Sequence, residues 1–326
     1  MTSPSIDSKV QPLQLAIIGC GGHSESAHAR SLAHYVSQNP DEVTLVAACD
    51  RDKGRANLFC ERYGFARAYT DIEEMFRSES LDGVISVLPV DKIAEVGSLL
   101  LRKGIPCLLE KPLGSSLDEV LHLADIAHAT GTRHMVSLNR RFNPFLNLAI
   151  DWAKQIAPLT YVRGQMFRQA RHESEFVWGT GIHVMDAMRH IGGDVRTIEF
   201  QRLSTSLCST PSYILSLQYE SHALGHIEIL PSVGVVEERF ELFGENFRAI
   251  VITMGGEGES VRCWHNGILE LERIAVPESP LFLRDGSYEE TLAFLHCLRK
   301  GIPFFPRIEH ALPSLALCQK VQGKRV

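Results

Sequence analysis

In the first third of the chain, short and continuously apolar runs alternate with amphipathic segments. Four apolar runs have the length and composition of buried strands: residues 13–19, 43–49, 83–88 and 106–109. Ala27, Leu32 and Tyr35 recur at helical spacing, and residues 93–103 form a second amphipathic stretch that Gly104 ends. Strands and helices that alternate in this way build crossover units, so the pattern predicts a doubly wound parallel sheet with helices on both faces.

The pattern changes after about residue 125, where apolar and polar residues alternate along successive runs. Six such runs are predicted strands: residues 161–170, 197–203, 213–219, 224–230, 236–243 and 247–253. In EERFELFG, for example, Phe240 and Leu242 share one face of the strand, whereas Glu241 lies on the other. Helices are predicted at residues 288–299 and 309–321. The second part therefore reads as an α+β domain built on a large, mostly antiparallel open sheet.

The length and charge of the chain limit its partners. A chain of 326 residues is long enough for two domains, and we predict them at residues 1–125 and 126–326. Its 44% hydrophobic and 22% charged residues are typical of a globular protein, which excludes disorder, collagen and coiled coil for most of the chain. The formal net charge of −6 gives no overall attraction for nucleic acid or anionic lipid. We therefore expect a small-molecule partner, and neither nucleic acid nor a membrane.

The cysteines and the N-terminus indicate in which cellular compartment the protein is expected. The eight cysteines include no C-x-x-C pair, and most lie in apolar runs where cysteine behaves as a small hydrophobe. The N-terminus, MTSPSIDSKVQPLQ, lacks the continuous apolar region of a signal peptide, and no apolar run approaches the roughly 20 residues of a membrane span. We expect a cytoplasmic protein.

A glycine-rich turn, GCGGHS at residues 19–24, follows the first predicted strand. The first glycine permits a tight turn, the second lets the backbone approach a pyrophosphate, and the following helix presents free N–H groups to the anion. Ser24 stands where the G-x-G-x-x-G fingerprint has its third glycine, and glycine turns of this kind also occur without a nucleotide. The turn predicts a dinucleotide site formed by Gly19, Gly21, Gly22, His23 and Ser24.

Asp50 ends the second predicted strand, where a carboxylate accepts hydrogen bonds from the ribose hydroxyls of the adenosine half. The same carboxylate repels a 2′-phosphate, which favours NAD over NADP. Arg51 beside it could accommodate that phosphate, so NADP stays possible. The structural alternative is that Asp50 only begins a polar loop.

Several segments together resemble one enzyme family. LLEKPLG at residues 108–114 places the motif Glu110-Lys111-Pro112 after a predicted strand. With LNRRFNP (138–144), GTGIHVMDAMRHIGG (179–193) and YEETLAFLHCLRKGIPFFP (288–306), it resembles the Gfo/Idh/MocA oxidoreductases, which act mainly on sugars and cyclitols. The resemblance runs nearly end to end and is specific to the family, though not to any substrate.

This resemblance implies a Rossmann domain followed by an α+β domain whose open sheet forms homodimer or homotetramer contacts. It places the nicotinamide in the cleft between the domains, near Lys111 and His183. On the same ground, Leu88, Pro89, Glu110 and Lys111 join the predicted cofactor-binding residues.

Oxidation of a secondary alcohol removes a hydride from carbon and a proton from oxygen. An imidazole with a pKa near 7 suits the proton transfer, and a nearby ammonium stabilises the developing alkoxide. The resemblance assigns the acid–base role to His183, and substrate positioning and proton relay to Lys111. The alternatives are a surface lysine before a turn-forming proline and a helix histidine hydrogen-bonded in the domain interface.

The sequence also departs from the family pattern. Many members have an aspartate four residues before the histidine, and Gly179 stands there in this chain. Because a glycine cannot orient an imidazole, we expect the proton relay to be built differently or to be impaired. The first helix carries an extra residue before His28, and Ile93 stands where relatives often have histidine.

Further residues around the predicted cleft are candidates for substrate contacts: Arg141, Arg168, Trp178, Asp186 and His183. The alternative for the arginine pair at residues 140–141 is a solvated cap on the domain junction. His183, Asp186 and His190 could share a helix face as metal ligands, but no further motif supports them, and no metal is expected.

We expect an NAD(P)-dependent oxidoreductase that transfers hydride between nicotinamide and a sugar, a cyclitol or a related polyhydroxylated substrate. Because Gly179 stands in place of the aspartate, an alternative function is that of a non-catalytic, dinucleotide-binding sensor or regulatory protein. Another alternative is an enzyme that uses bound NAD transiently for elimination or glycoside hydrolysis.

Overall fold

The computed structural model describes residues 11–205, 208–255 and 258–323. The N-terminal stretch that lacks a signal-peptide pattern lies mostly outside these residues. Among the helices that the structure does describe, none has the length and apolar character needed to cross a membrane.

Within the described residues, the first sheet consists of six parallel strands. They are β1 (Leu13–Ile18), β2 (Val43–Cys49), β3 (Arg67–Tyr69), β4 (Gly83–Ser86), β5 (Cys107–Glu110) and β6 (His134–Ser137). Four of them (β1, β2, β4 and β5) match the predicted apolar runs. Their order across the sheet is β3-β2-β1-β4-β5-β6. The order reverses between β1 and β4, the position where doubly wound sheets bind nucleotides. The predicted parallel sheet is confirmed.

Five helices connect these strands. They are α1 (Arg30–Gln38), α2 (Lys53–Tyr63), α3 (Ile72–Ser78), α4 (Val90–Arg102) and α5 (Leu117–Thr130). Polar side chains begin three of them, because the oxygens of Asp52, Asp71 and Ser116 accept hydrogen bonds from free backbone N–H groups of the first turn.

The first helix begins with a π-helical segment, Ser24–Ala29, that runs into α1. A π-turn holds one more residue than an α-helical turn. It lies where the sequence carries an extra residue before His28. The segment buries Ser24, Ala27 and His28 against the sheet.

The second sheet has eight strands and follows the alternating pattern. They are β7 (Leu159–Phe167), β8 (Val195–Thr205), β9 (Cys208–Tyr219), β10 (Leu224–Leu230), β11 (Glu237–Gly244), β12 (Phe247–Gly255), β13 (Ser260–His265) and β14 (Ile268–Ile274). Their order is β14-β13-β12-β11-β7-β10-β9-β8, and only the β7–β10 pair is parallel. Helices α6 (Pro144–Lys154) and α7 (Ile182–Gly192) pack on this sheet. The predicted mostly antiparallel sheet is confirmed.

The last two helices, α8 (Ser287–Lys300) and α9 (Ile308–Gln322), join the two halves. Phe294 and Leu298 of α8 share a buried cluster with Leu15 and Ile17 of β1. Helix α9 packs against α5 and β6 on one side and against α7 on the other. The apolar contacts therefore run from one half of the chain into the other and fix the cleft between them.

The predicted domain boundary, between residues 125 and 126, falls inside α5. The strand after α5, β6, pairs in parallel with β5 and so completes the first sheet. The change from one sheet to the other comes after Ser137. The apolar pattern did not reveal β6, because HMVS is short and has polar residues at both ends.

Candidate active site

A cavity of about 670 Å³ opens at the carboxyl ends of β1, β2, β4 and β5. Every residue predicted to bind the cofactor lines it: Gly19, Gly21, Gly22, His23, Ser24, Asp50, Arg51, Leu88, Pro89, Glu110 and Lys111. The sequence reasoning missed Arg55, Asp71 and Lys92, which also face this cavity. Their position in the sequence could have identified these three residues, since each lies within a few residues of a strand end.

In the glycine turn, the backbone requires glycine at position 19, whereas the glycines at positions 21 and 22 border open space. Gly19 has φ of +92°, and a Cβ there would lie 1.9 Å from the carbonyl oxygen of Val87. A Cβ at Gly21 or Gly22 meets no atom within 4 Å, so this part of the turn borders open space. The Ser24 hydroxyl is buried without a hydrogen-bond partner among the described residues. A bare backbone above a helix start fits the pyrophosphate of a dinucleotide.

Asp50 is held in place by three donors. Its carboxylate accepts hydrogen bonds from the backbone N–H of Cys20 at 2.9 Å, from the backbone N–H of Asp52 at 2.9 Å and from Arg55 at 2.9 Å. Burial raises the pKa of Asp50, but these hydrogen bonds outweigh it, so that pKa lies below its usual value. The carboxylate is thus ionised at the predicted ribose position, with Arg55 as a second cation beside Arg51.

A second cavity of about 430 Å³ adjoins the first and shares His23 and Glu110 with it. Polar and apolar side chains line it together: Ser137, Asn139, Arg140, His183, Asp285, Met254, Leu281 and Phe282 are among them. Both volumes are in the range of small-molecule sites. Lys111 therefore faces the first cavity and His183 the second, and the two cavities meet at Glu110.

Lys111 is half-buried directly after β5, where its ammonium Nζ donates a hydrogen bond to the carbonyl oxygen of Gly179 at 2.9 Å. Burial lowers the pKa of Lys111 below 10.5, and the positive charge of Arg140 lowers it further, whereas Glu110 opposes the shift. The hydrogen bond connects the first sheet to the π-helical segment Val177–Gly181 that precedes α7.

His183 lies in the first turn of α7. Burial holds the pKa of its imidazole well below 6.5, and the charges of Lys111 and Arg140 act in the same direction. Within the described part of the chain, its Nδ1 atom is buried without a hydrogen-bond partner. His183 is therefore a neutral imidazole with a ring nitrogen still available for a hydrogen bond.

Among the residues that the structure describes, no side chain fills the position beside Gly179 where many members of the resembled family have an aspartate side chain. A Cβ built at Gly179 meets no atom within 4 Å. Asp186 is bound elsewhere, and the indole nitrogen of Trp178 donates to the carbonyl oxygen of Gly114 at 2.8 Å. The position is open, and its backbone carbonyl oxygen accepts the hydrogen bond from Lys111.

Arg141 and Asp186, both predicted substrate contacts, bind each other in the structure. Arg141 donates two hydrogen bonds to the Asp186 carboxylate, at 2.7 and 2.8 Å, and Ser314 donates a third at 2.7 Å. Both partners are buried and line neither cavity. A buried carboxylate needs such donors, so this pair joins the turn at residues 139–142 to α7 and α9.

Arg168 and Trp178, also predicted substrate contacts, likewise bind other parts of the chain. Arg168 donates to the buried Glu238 carboxylate, which also accepts two hydrogen bonds from Arg140 at 2.8 and 2.7 Å. Trp178 is 1% exposed, so its ring has no free face for a substrate. Of these arginines, Arg140 lines the second cavity, because adjacent residues of a short 3₁₀ turn point in different directions.

The spacing of His183, Asp186 and His190 does not produce a set of metal ligands. Asp186 binds Arg141, and the Nε2 atom of His190 lies 2.9 Å from the side-chain oxygen of Asn147. Instead, ligating atoms of His23, His28 and Glu110 lie within 4.8 Å of one another. These residues come from distant parts of the sequence, so spacing along the chain gave no signal for them.

Known proteins share both the sequence pattern and the fold. Residues 13–138 match the family model described as "Oxidoreductase family, NAD-binding Rossmann fold". The scyllo-inositol 2-dehydrogenase (NAD(+)) of Bacillus subtilis is 25% identical over 316 residues, which cover 89% of this chain and 87% of that protein. The D-apiose dehydrogenase of Paraburkholderia graminis is 25% identical over 63% of this chain and 57% of its own length. For this relative and an uncharacterized protein of Saccharomyces cerevisiae, the match spans about half of the relative's length.

A solved structure shows the same fold. The dehydrogenase of Chromobacterium violaceum superposes with a TM-score of 0.85 over 96% of this chain and 95% of that chain, at 16% identity. Residues 13–138 therefore match the NAD-binding Rossmann domain of the Gfo/Idh/MocA oxidoreductases.

Proposed function

We propose that this chain is an NAD(P)-dependent oxidoreductase that acts on a secondary hydroxyl of a sugar, a cyclitol or a related polyhydroxylated compound. The observation that carries the proposal is the junction of the two cavities at Glu110. It brings the cavity lined by the glycine turn and Lys111 against the cavity lined by His183.

The residues of the first cavity match the two ends of a dinucleotide. Asp50 takes the ribose hydroxyls of the adenosine half, the backbone at Gly21 and Gly22 takes the pyrophosphate, and Lys111 lies at the nicotinamide end. When bound, the nicotinamide supplies the hydride acceptor or donor. Asp50 favours NAD, while Arg51 and Arg55 leave NADP possible.

Lys111 and His183, on either side of the junction between the two cavities, bind and deprotonate the substrate hydroxyl group. The Lys111 ammonium hydrogen-bonds the substrate oxygen and stabilises the negative charge that develops on it. His183, neutral because its pKa is depressed, accepts the hydroxyl proton. Since Gly179 has no side chain to orient this imidazole, the orientation depends on the half-buried position of His183 in the first turn of α7.

The second cavity supports the substrate class. Its serine, asparagine, arginine and aspartate side chains supply both donors and acceptors, as a ring with several hydroxyls requires. Two relatives are named for polyhydroxylated substrates, scyllo-inositol and D-apiose.

The test is nicotinamide absorbance during a screen of sugars and inositols with NAD⁺ and NADP⁺. We expect turnover of at least one compound, lowered about 10²- to 10⁴-fold by Lys111→Met and by His183→Ala. Lys300→Met, at an exposed lysine of α8, is the matched control and keeps full activity. Turnover that neither substitution lowers would remove both residues from the mechanism.

One observation favours a second candidate, a non-catalytic sensor of dinucleotides. The open space at Gly179 leaves the imidazole without its usual carboxylate partner. This candidate requires NADH binding and a ligand in the second cavity without redox turnover. A clear dehydrogenase activity in the same screen excludes it.

We also propose that the chain forms homo-oligomers through its second sheet. Helices α6 and α7 pack on one face, and the other face of β7 and β10 carries half-buried groups such as the Arg163–Glu228 pair, 2.6 Å apart. Light scattering coupled to gel filtration tests this, and a monomer at micromolar concentration contradicts it.

A further inference from the structure

Three metal-ligating side chains converge at the junction of the two cavities. The Nε2 atom of His28 lies 2.8 Å from Oε1 of Glu110, and Nε2 of His23 lies 3.0 Å from the same oxygen. His23 comes from the glycine turn, His28 from the π-helical segment and Glu110 from the end of β5. Three separate elements therefore point their ligating atoms at one small volume.

The spacing of these atoms is that of ligands around a single ion. Two ligands that each lie about 2.1 Å from a metal are about 3.0 Å apart at a right angle and about 3.4 Å apart in a tetrahedron. The nitrogen-to-oxygen separations of 2.8 and 3.0 Å fall near the first value. Small shifts of the side chains would place an ion in contact with all three.

The local backbone supports this arrangement. His28 occupies the π-helical segment, and single π-turns within helices occur frequently at functional sites. A regular α-helix of the same sequence would rotate residues 24–29 relative to α1 and direct His28 differently. The His28 and Glu110 side chains are 1% and 4% exposed, so two ligands are fixed by packing.

We propose that His23, His28 and Glu110 bind one divalent transition-metal ion. Two imidazoles and one carboxylate suit Zn²⁺, Fe²⁺, Co²⁺ or Ni²⁺ better than Mg²⁺ or Ca²⁺, which prefer oxygen ligands. The His23 side chain is 56% exposed, and both cavities border His23 and Glu110. The remaining coordination positions therefore face the cavities, where water or a ligand oxygen can occupy them.

The proposal is tested by isothermal titration calorimetry. The nucleotide-free chain is first freed of metal with a chelator and is then titrated with Zn²⁺ and, separately, with Co²⁺. We expect one ion per chain, with affinity lowered at least 100-fold by His23→Gln and by Glu110→Gln. His122→Gln, at an exposed histidine of α5, is the matched control and leaves the affinity unchanged. The Co²⁺ absorption spectrum shows whether nitrogen and oxygen ligands, rather than cysteine thiolates, hold the ion.

The exposed position of His23 keeps the test decisive, since His23→Gln leaves the core intact even if Glu110→Gln does not fold. A wild-type chain that binds no ion overturns the proposal, as does an affinity that His23→Gln leaves unchanged or a thiolate spectrum. NADH titration of the same metal-free sample reports on the proposed redox function separately, so either idea can fail alone.

Discussion

At Gly179 a backbone oxygen, and no side chain, is available to Lys111. The carbonyl oxygen accepts the hydrogen bond of the Lys111 ammonium, but it offers nothing to the imidazole of His183. The space beside it is open, and the φ angle of Gly179 is not among the positive ones, so a larger residue fits.

Gly179→Asp should therefore restore a carboxylate at this position without loss of stability. An acceptor near the imidazole orients it and stabilises its protonated form, which raises the rate of proton transfer. We expect the initial rate of hydroxyl oxidation near pH 7 to rise about tenfold or more, measured by nicotinamide absorbance. Gly179→Asn, which has the same size and no charge, is the control. An aspartate variant no faster than the asparagine variant contradicts this role for the position.

The cofactor preference depends on the charge of Asp50. Asp50→Asn keeps an oxygen that can accept the N–H of Cys20, but it removes the negative charge that repels a 2′-phosphate. With Arg51 and Arg55 still lining the cavity, we expect the ratio of NADPH to NADH affinity to rise at least tenfold, measured by fluorescence titration. Asp52→Asn makes the same charge change two residues away, and an equal shift there would show a general effect of charge.

For single residues, the sequence predicted those cavity-lining positions that follow from the order of strands and turns along the chain. The glycine turn and Asp50 come directly after strands, and strand ends meet at one edge of a parallel sheet. The orientation of Arg140 and Arg141 follows no such rule. Only the buried carboxylates Glu238 and Asp186 decide which arginine lines a cavity, and both are far away in sequence.

At the scale of elements, the strand–turn–helix unit around β1 depends on Gly19. The N–H of Gly19 donates to the carbonyl oxygen of Cys49 at 2.8 Å, and its positive φ brings the backbone against Val87. The turn is thereby fixed between β2 and the segment that follows β4.

Gly19→Ala should lower the free energy of unfolding by about 3 kcal/mol, because an added Cβ combines an unfavourable φ with a clash against the backbone. Gly21→Ala, whose Cβ meets open space, should change stability by less than about 1 kcal/mol. Urea denaturation followed by circular dichroism measures both. Equal effects of the two substitutions would contradict the assigned geometry of the turn.

The periodicity predicted the long strands, but it missed short or charged strands and several helices, among them the 14-residue α5. β2 and β10 match the predicted ranges, since each is an uninterrupted apolar or alternating run. β3 has only three residues, and β14 (ILELERI) is mostly exposed at the edge of its sheet. Such strands exist because a neighbouring strand supplies their hydrogen bonds, which a single run of sequence does not show.

At the scale of the whole molecule, a half-buried histidine between two helices makes stability depend on pH. His190 of α7 contacts Asn147 of α6, and burial, aided by the charge of Arg141, lowers the pKa of His190 to about 4. In the unfolded chain its pKa is near 6.5, so the unfolded state takes up the proton first as the pH falls. The neutral His190 side chain therefore contributes fully to the free energy of unfolding above pH 6.5, and this contribution is lost as the pH falls from 6.5 to 4.

Replacing this histidine should flatten that dependence. Between pH 7 and pH 4.5 the wild-type chain should lose about 2–3 kcal/mol of unfolding free energy that His190→Gln does not lose. Chemical denaturation at a series of pH values measures the difference, with exposed His122→Gln as the control. An unchanged pH slope in His190→Gln would show that the imidazole is not buried as the structure places it.

The proposed redox function requires the cavity above the glycine turn to bind a dinucleotide, and calorimetric titration with NADH measures that binding. The comparison is wild type against Gly21→Val, whose side chain has room in the folded chain but occupies the space where a pyrophosphate approaches the backbone. We predict one NADH per wild-type chain, and an affinity at least 100-fold weaker in Gly21→Val at an unchanged melting temperature. No binding to the wild-type chain, or binding that Gly21→Val leaves undiminished, would contradict the account.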